Sequence, residues 1–126
     1  DDAAVIAATR LAGGRVVTAA VDEMKFRSPI HVGDVVTLRS TVNAAWRTSM
    51  EVGVRVESEN VRTGEVTHTS AAYLTMVALD DEGNPKEVPP LAPETPDELR
   101  RAREAQLRRD TRLAERQTIE EERARD

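Results

Sequence analysis

The chain has 126 residues, which suits one domain, and its formal net charge of −5 argues against a nucleic-acid binder that neutralises phosphates. It contains no cysteine, which excludes a disulfide framework and a thiolate metal site. No apolar run approaches the roughly 18–20 residues that span a bilayer, and no signal-peptide pattern is present, so we expect a cytoplasmic protein without a membrane span.

The first predicted element is a helix over residues 1–12. Asp1 and Asp2 precede a run of small and apolar residues, and acids are favoured at the positive N-terminal end of a helix dipole. The apolar residues cover most of the helix circumference, which is typical of a buried helix. Gly13 and Gly14 follow, and glycine commonly ends a helix.

Four extended segments come next, with a turn-bearing link at 28–34 and a turn at Thr63–Gly64. They cover residues 15–26, 35–46, 50–59 and 66–80. In the third segment apolar and polar residues alternate, which predicts one buried face with Met50 and Val52 and one solvent-exposed face with Glu51. The last segment becomes apolar at both parities, so we expect its end to be covered on both faces.

A long, charged helix is predicted for the C-terminal part. Thr95 and Glu98 have capping-box spacing, and Pro96 stands where a first helical residue tolerates proline. Arg and Glu dominate the following thirty residues, and ion pairs at i,i+4 are the best interpretation of these arginines. We therefore predict a domain over residues 1–90, then an exit loop and this helix over 91–126.

Taken in order, one buried helix, four long strands and a charged helix indicate an α+β fold. A short buried helix needs a curved antiparallel sheet to wrap around it. One half-wrapped sheet leaves its other side exposed, so we also expect pairing between subunits.

Four stretches of the sequence resemble the hotdog-fold acyl-CoA thioesterases, the family of broad-range acyl-CoA hydrolases. They agree with the family in order and spacing and cover about residues 1–95; they read "DDAAVIAATR", "GGRVVTAAVDEMKFRSPIHVGD", "WRTSMEVGVRVE" and "AYLTMVALDDEGNPKEVPPLAPET". The resemblance implies a hotdog fold, homodimers that often form trimers of dimers, and hydrolysis of acyl-CoA to fatty acid and coenzyme A. It implies no cofactor and no metal.

The resemblance also assigns catalytic residues. Asp1 falls on the family's catalytic acid, which activates water or attacks the thioester, while amides of the helix N-terminus hold the oxyanion. Thr18 lies near the position where relatives place a hydroxyl that orients water, donated by the facing subunit. Two plainer interpretations stay open: Asp1 as an acid that stabilises the helix dipole, and Thr18 as an ordinary strand threonine.

The alternating strand begins with Arg47, Thr48 and Ser49. These residues could bind a phosphate or the pantetheine edge of coenzyme A. The alternative is a solvated strand end. His31 is interpreted as a surface loop residue, and neither it nor His68 has the neighbours at short spacing that a metal site requires.

Two further expectations come from the comparison with the family. Its members carry an upstream strand and a His-Gly-Gly-type turn before the helix, so we expect the sequence to lack its beginning. The alternative function is a non-catalytic module that binds acyl-CoA as a sensor or scaffold. Such a module would keep the strand at 46–49 but would not need Asp1.

Overall fold

The structure is a computed structural model that describes residues 2–22 and 30–125, with side chains from residue 4 onward. Its elements are α1 (Asp2–Ala12), β1 (Val16–Asp22), β2 (Val35–Ala45), β3 (Ser49–Glu59), β4 (Val66–Ala78) and α2 (Pro96–Arg125). The chain divides into two compact units, Asp1–Leu91 and Ala92–Asp126. The predicted strand over 15–26 runs into residues 23–29, which lie outside the described part.

The four strands form one antiparallel sheet in the order β1-β4-β3-β2. The hairpins β2–β3 and β3–β4 join neighbours, whereas β1 pairs on the far side of β4. The predicted antiparallel sheet, its packed helix and the long C-terminal helix are confirmed. Both β1 and β2 lie at edges of this four-stranded sheet.

The core lies between α1 and one face of the sheet. Ala4, Ala8 and Ala12 form a stripe at four-residue intervals and are buried in one cluster with Met50 and Val52 of β3. Alanine at these positions lets the helix backbone approach the strands closely. The prediction of a buried helix is confirmed only for this side of α1, because Ile6 on another side is 55 % exposed in the single chain.

The predicted alternation of buried and exposed residues in β3 is only partly confirmed. Met50 and Val52 are buried as predicted, but Glu51, expected in solvent, is 1 % exposed. Its cross-strand neighbours Ala44 and Thr75 are buried as well, so the second face of the sheet is also covered at this level. Three successive residues of β4, from Leu74 to Met76, are buried, which confirms the predicted cover on both faces of that strand.

The signals at the helix ends are confirmed. The Gly13 N–H donates to the Thr9 carbonyl at 2.9 Å, and Gly13 has a positive φ of 72° that glycine adopts without strain. At the start of α2, the Thr95 N–H donates to Glu98 Oε1 at 3.3 Å, and the Glu98 N–H donates to Thr95 Oγ1 at 3.1 Å. This is a capping box, and Pro96 is the first helical residue.

Exposed intrahelical ion pairs occur along α2, as expected. Arg116 Nε lies 3.4 Å from Glu120 Oε1 at i,i+4, and Arg100 Nη2 lies 3.8 Å from Asp97 Oδ1 at i,i+3. Pairs of this kind on a solvated helix each add little stability.

Candidate functional site

The β2–β3 hairpin ends in Arg47, Thr48 and Ser49, which we call the 47–49 tip. Arg47 is exposed and the other two are half-buried. All three carbonyl oxygens accept backbone hydrogen bonds; the N–H donors are Val88 to Arg47 (2.8 Å), Ala78 to Thr48 (3.0 Å) and Trp46 to Ser49 (2.8 Å). The path of the tip is therefore tied to the end of β4 and to the loop after it.

Thr18 lies on the edge strand β1 and is exposed in the single chain. It is the cross-strand partner of Met76, so both point to the face on which α1 packs. Thr18 Oγ1 donates to Met76 Sδ at 3.4 Å. The pairing register of β1 slips between Thr18 and Ala20, and such a bulge re-aims the side chains beside it.

Thr18 and the 47–49 tip lie at the same end of the sheet. Cross-strand partners run from Thr18 to Met76 and on to Met50, which directly follows the tip. Two strand spacings correspond to about 10 Å. The fold thus brings these predicted residues to one end of the sheet, with β4 between them.

Asp1 lies outside the described residues, and α1 begins at Asp2. The helix has 11 residues, which corresponds to a length of about 15 Å. Its C-terminal end leads through Gly13 into β1, so its N-terminal amides lie one helix length from that junction. Amides that lack a partner in the first turn of a helix point along its axis, which makes them suitable donors to an anion.

Asn43 and Glu51 form a buried polar pair behind the tip that was not predicted from the sequence. Asn43 Nδ2 donates to Glu51 Oε1 at 3.0 Å, and Asn43 is 4 % exposed. The register of β2 slips between Val42 and Ala44, so Asn43 is the extra residue of a bulge. One signal could have indicated this pair: an amide four positions before Arg47 and a carboxylate two positions after Ser49 flank the tip on the two strands of one hairpin.

A second polar cluster lies at the other end of the same hairpin. Asp34 Oδ2 accepts from the His31 N–H at 3.0 Å and from Ser58 Oγ at 2.8 Å. These hydrogen bonds, the one from the His31 backbone first, hold the pKa of Asp34 below its ordinary value of 3.8. His31 itself is exposed, as predicted for a loop residue.

Neither histidine contributes to a metal site in the described part of the chain. His68 Nε2 lies 2.8 Å from the carbonyl oxygen of Ser70, a contact that requires a proton on that nitrogen. Residues 2–22 and 30–125 contain no group of three or more His, Cys, Asp or Glu side chains placed to hold a metal ion. Within the same ranges, no helix is long and apolar enough to cross a membrane.

Comparison with known proteins identifies what the chain is similar to. The model of the Thioesterase superfamily matches residues 1–65, which include α1 and the first three strands. Protein VdlD of Helicobacter pylori is 39 % identical over 112 residues, which is 89 % of this chain and 64 % of that protein. The chain therefore spans less than two thirds of the length of this relative.

Two solved structures are similar over most of the chain. An apo-hexameric acyl-CoA thioesterase is 44 % identical with a TM-score of 0.84, over 89 % of this chain and 72 % of that one. The acyl-CoA hydrolase of Staphylococcus aureus, solved with butyryl coenzyme A and coenzyme A, is 38 % identical with a TM-score of 0.79. That match covers 93 % of this chain and 74 % of the other.

Proposed function

The chain belongs to the thioesterase superfamily, and on that premise we propose that it hydrolyses acyl-CoA to a free fatty acid and coenzyme A. The observation that carries this proposal is the likeness to the Staphylococcus aureus hydrolase, whose structure holds an acyl-CoA and coenzyme A. Coenzyme A enters as part of the substrate and leaves as product, and the reaction requires no other cofactor.

Asp1 is the general base in this mechanism. It takes a proton from water, the water oxygen attacks the thioester carbonyl carbon, and the carbon–sulfur bond then breaks as the thiolate receives the proton. Support comes from the spacing of two residues in the Staphylococcus aureus hydrolase, an aspartate and a threonine, each of which is replaced by alanine in a solved variant. In that protein the two residues are separated by the same number of positions as Asp1 and Thr18.

The N-terminal amides of α1 stabilise the oxyanion that forms when water attacks. They are preorganised donors at the positive end of a helix, so their hydrogen bonds to the carbonyl oxygen strengthen as negative charge develops on that oxygen. Direct attack by the Asp1 carboxylate is the other route to the same products. Single turnover in ¹⁸O-labelled water separates the two routes, because only direct attack transfers a carboxylate oxygen of Asp1 to the fatty acid.

Thr18 orients the attacking water from a facing protomer. Its exposure on an edge strand and the bulge beside it support this role. The sulfur of Met76 is a weak acceptor, so exchanging this one hydrogen bond for a bond to water costs little.

The 47–49 tip binds the phosphate or pantetheine part of coenzyme A. Its carbonyl oxygens already accept backbone hydrogen bonds, and the Thr48 and Ser49 hydroxyls can donate hydrogen bonds to a ligand. The exposed Arg47 guanidinium adds a planar array of donors that matches a phosphate group.

The active form is a homodimer, assembled further into a trimer of dimers. Ile6 on α1 and Val36 and Leu38 on the edge strand β2 are exposed apolar side chains that a second copy would cover. Two similar proteins, the apo-hexameric acyl-CoA thioesterase and the broad-specificity thioesterase HI0827, are described as hexameric. Light scattering on the purified protein is expected to give six times the chain mass.

The location is cytoplasmic. A mouse relative with 36 % identity over 86 % of this chain carries the name cytosolic acyl coenzyme A thioester hydrolase. Fractionation of cells into cytoplasm and membrane, followed by immunodetection of the protein, tests this location.

The activity is tested by thiol release from butyryl-CoA and longer acyl-CoAs. The 126 residues contain no cysteine, so a thiol reagent reports coenzyme A released from the substrate. Asp1→Asn is expected to lower kcat by about 10²–10⁴-fold, the usual contribution of a general base. Binding of acyl-CoA without turnover by the unaltered full-length protein would instead support the non-catalytic module.

A further inference from the structure

Asn43, Glu51 and Gly53 form a buried group at the base of the 47–49 tip, which we call the clamp. Glu51 and Asn43 are almost fully buried and share a hydrogen bond of 3.0 Å. Burial of a carboxylate is unfavourable, and well-packed apolar side chains of similar volume commonly give equal or greater stability. Stability alone therefore does not explain why polar side chains stand at these positions.

The clamp joins the two strands where they lead into the tip. Asn43 is the extra residue of the β2 bulge and precedes Arg47 by four positions, while Glu51 follows Ser49 by two. The hydrogen bond thus links the bulge to the strand that leaves the tip. A β-bulge bends its strand and increases its twist, so it sets the direction in which the hairpin ends.

Gly53 makes room for this arrangement. A Cβ atom at Gly53 would lie 2.7 Å from Asn43 Nδ2 and 3.4 Å from both Asn43 Cγ and Asn43 Oδ1. The Asn43 amide therefore lies directly over the Gly53 backbone, a position that other residues at 53 would block. On the opposite side of β3, Thr75 is the buried cross-strand partner of Glu51.

We infer that Asn43 and Glu51 are positioning residues, which fix the bulge and through it the orientation in which Arg47, Thr48 and Ser49 meet coenzyme A. The inference rests on the proposed function, since it takes the tip as the coenzyme A contact. Without the clamp the bulge loses the hydrogen bond that joins it to β3, and β2 can relax to regular pairing. A one-residue shift in register turns every following side chain of the strand to the other face.

Three variants test this inference by their effect on coenzyme A. Asn43→Ala removes the donor of the clamp, whereas Glu51→Gln keeps an oxygen acceptor for Asn43 Nδ2 and serves as the conservative rescue. The double variant Asn43→Leu with Glu51→Met replaces the pair by apolar side chains, which preserves a packed interior without the hydrogen bond. Glu57→Gln is the matched control, because it alters a carboxylate on the same face of β3 away from the tip.

The expected result is a split between binding and chemistry. For Asn43→Ala and for the double variant, KM for acyl-CoA and Kd for coenzyme A rise by about 10–100-fold, since misplacement of a binding group by 1 Å has an effect of this size. The value of kcat changes far less, because the lost interaction acts on binding. Glu51→Gln and Glu57→Gln keep KM and Kd close to those of the unaltered protein.

Hydrogen exchange gives a second measurement that does not depend on coenzyme A. The Ala78 and Val88 amides donate to the tip carbonyls, so their exchange reports whether the tip keeps its path. Both are expected to exchange about tenfold faster in Asn43→Ala, while core amides of β3 are unchanged. This outcome would support the clamp even if the protein failed to bind coenzyme A at all.

Two results would overturn the inference and leave the proposed function intact. One is a folded Asn43→Ala or double variant that binds coenzyme A with unchanged Kd. The other is unchanged exchange at Ala78 and Val88 in those variants. Failure of the unaltered protein to turn over acyl-CoA overturns the proposed function instead, and the exchange measurement then decides the clamp separately.

Discussion

The β2–β3 hairpin uses two glutamates on one face of β3 in opposite ways. Near the tip, Glu51 is buried and accepts from the neutral amide of Asn43. At the open end of the hairpin, Glu57 keeps 18 % of its side chain exposed, and its two oxygens each lie 3.2 Å from a guanidinium nitrogen, of Arg39 and of Arg55. A buried hydrogen bond constrains geometry strongly, whereas solvated ion pairs contribute little and tolerate movement.

The largest expected effect comes from truncation at the buried end. Glu51→Ala leaves the Asn43 amide buried without its acceptor and creates a cavity in a covered part of the sheet. We expect a loss of about 3 kcal/mol in the free energy of unfolding. Urea denaturation followed by circular dichroism measures this loss, and a change below about 1 kcal/mol would contradict the burial described here.

Gly53→Ala is expected to have the next largest effect. The added Cβ approaches Asn43 Nδ2 to 2.7 Å, so the Asn43 side chain must move away from Glu51. The expected cost is about 2 kcal/mol, from displaced packing and a strained hydrogen bond. Combination with Asn43→Ala provides the control, because Gly53→Ala should cost much less once the obstructing amide is absent; equal costs in both backgrounds would speak against the close approach.

The Asp34 cluster at the open end predicts a pH dependence. Hydrogen bonds from the His31 N–H and from Ser58 lower the pKa of Asp34 in the folded state. The ionised Asp34 therefore stabilises the fold above pH 3.8, and this stability is lost as the pH falls through the folded pKa. Asp34→Asn is therefore expected to make stability less sensitive to acidification below about pH 4. Thermal unfolding of both proteins across pH 2.5–6 measures the difference, and parallel curves would exclude the stabilised carboxylate.

Neutralising the ion-paired glutamate is expected to have the smallest effect. Glu57→Gln removes two solvated pairs with Arg39 and Arg55 and keeps the side-chain volume. We expect a change of at most about 1 kcal/mol that shrinks further in high salt. Denaturation at low and high ionic strength measures it, and a loss as large as that of Glu51→Ala would remove the distinction between the two ends of the hairpin.

Much of the fold could be predicted because its signals are local. The stop at Gly13 depends on the backbone freedom of one residue, and the start of α2 depends on Thr95 and Glu98, three positions apart. The resemblance to hotdog-fold acyl-CoA thioesterases is confirmed over the sheet and its helix. The roles of Thr18 and of the 47–49 tip remain predictions, and Asp1 lies outside the described residues.

The clamp could not be predicted from local sequence signals of this kind. Alternation in β3 assigns Glu51 to solvent, since a strand pattern contains no information about what covers its second face. Glu51 pairs with Thr75 of β4 and lies beside the bulge at Asn43 of β2. Both are set by strand pairing rather than by neighbours in the chain.

The amino-acid sequence by itself determined the order of the elements, the C-terminal end of α1, the N-terminal end of α2 and the family. These features follow from backbone freedom, capping and hydrophobic period, each of which acts within a few residues. Only the tertiary structure decided that Ile6 is exposed, that Glu51 is buried and that Thr18 shares one sheet end with the 47–49 tip. Burial and proximity are properties of register and packing, which join residues far apart in the chain.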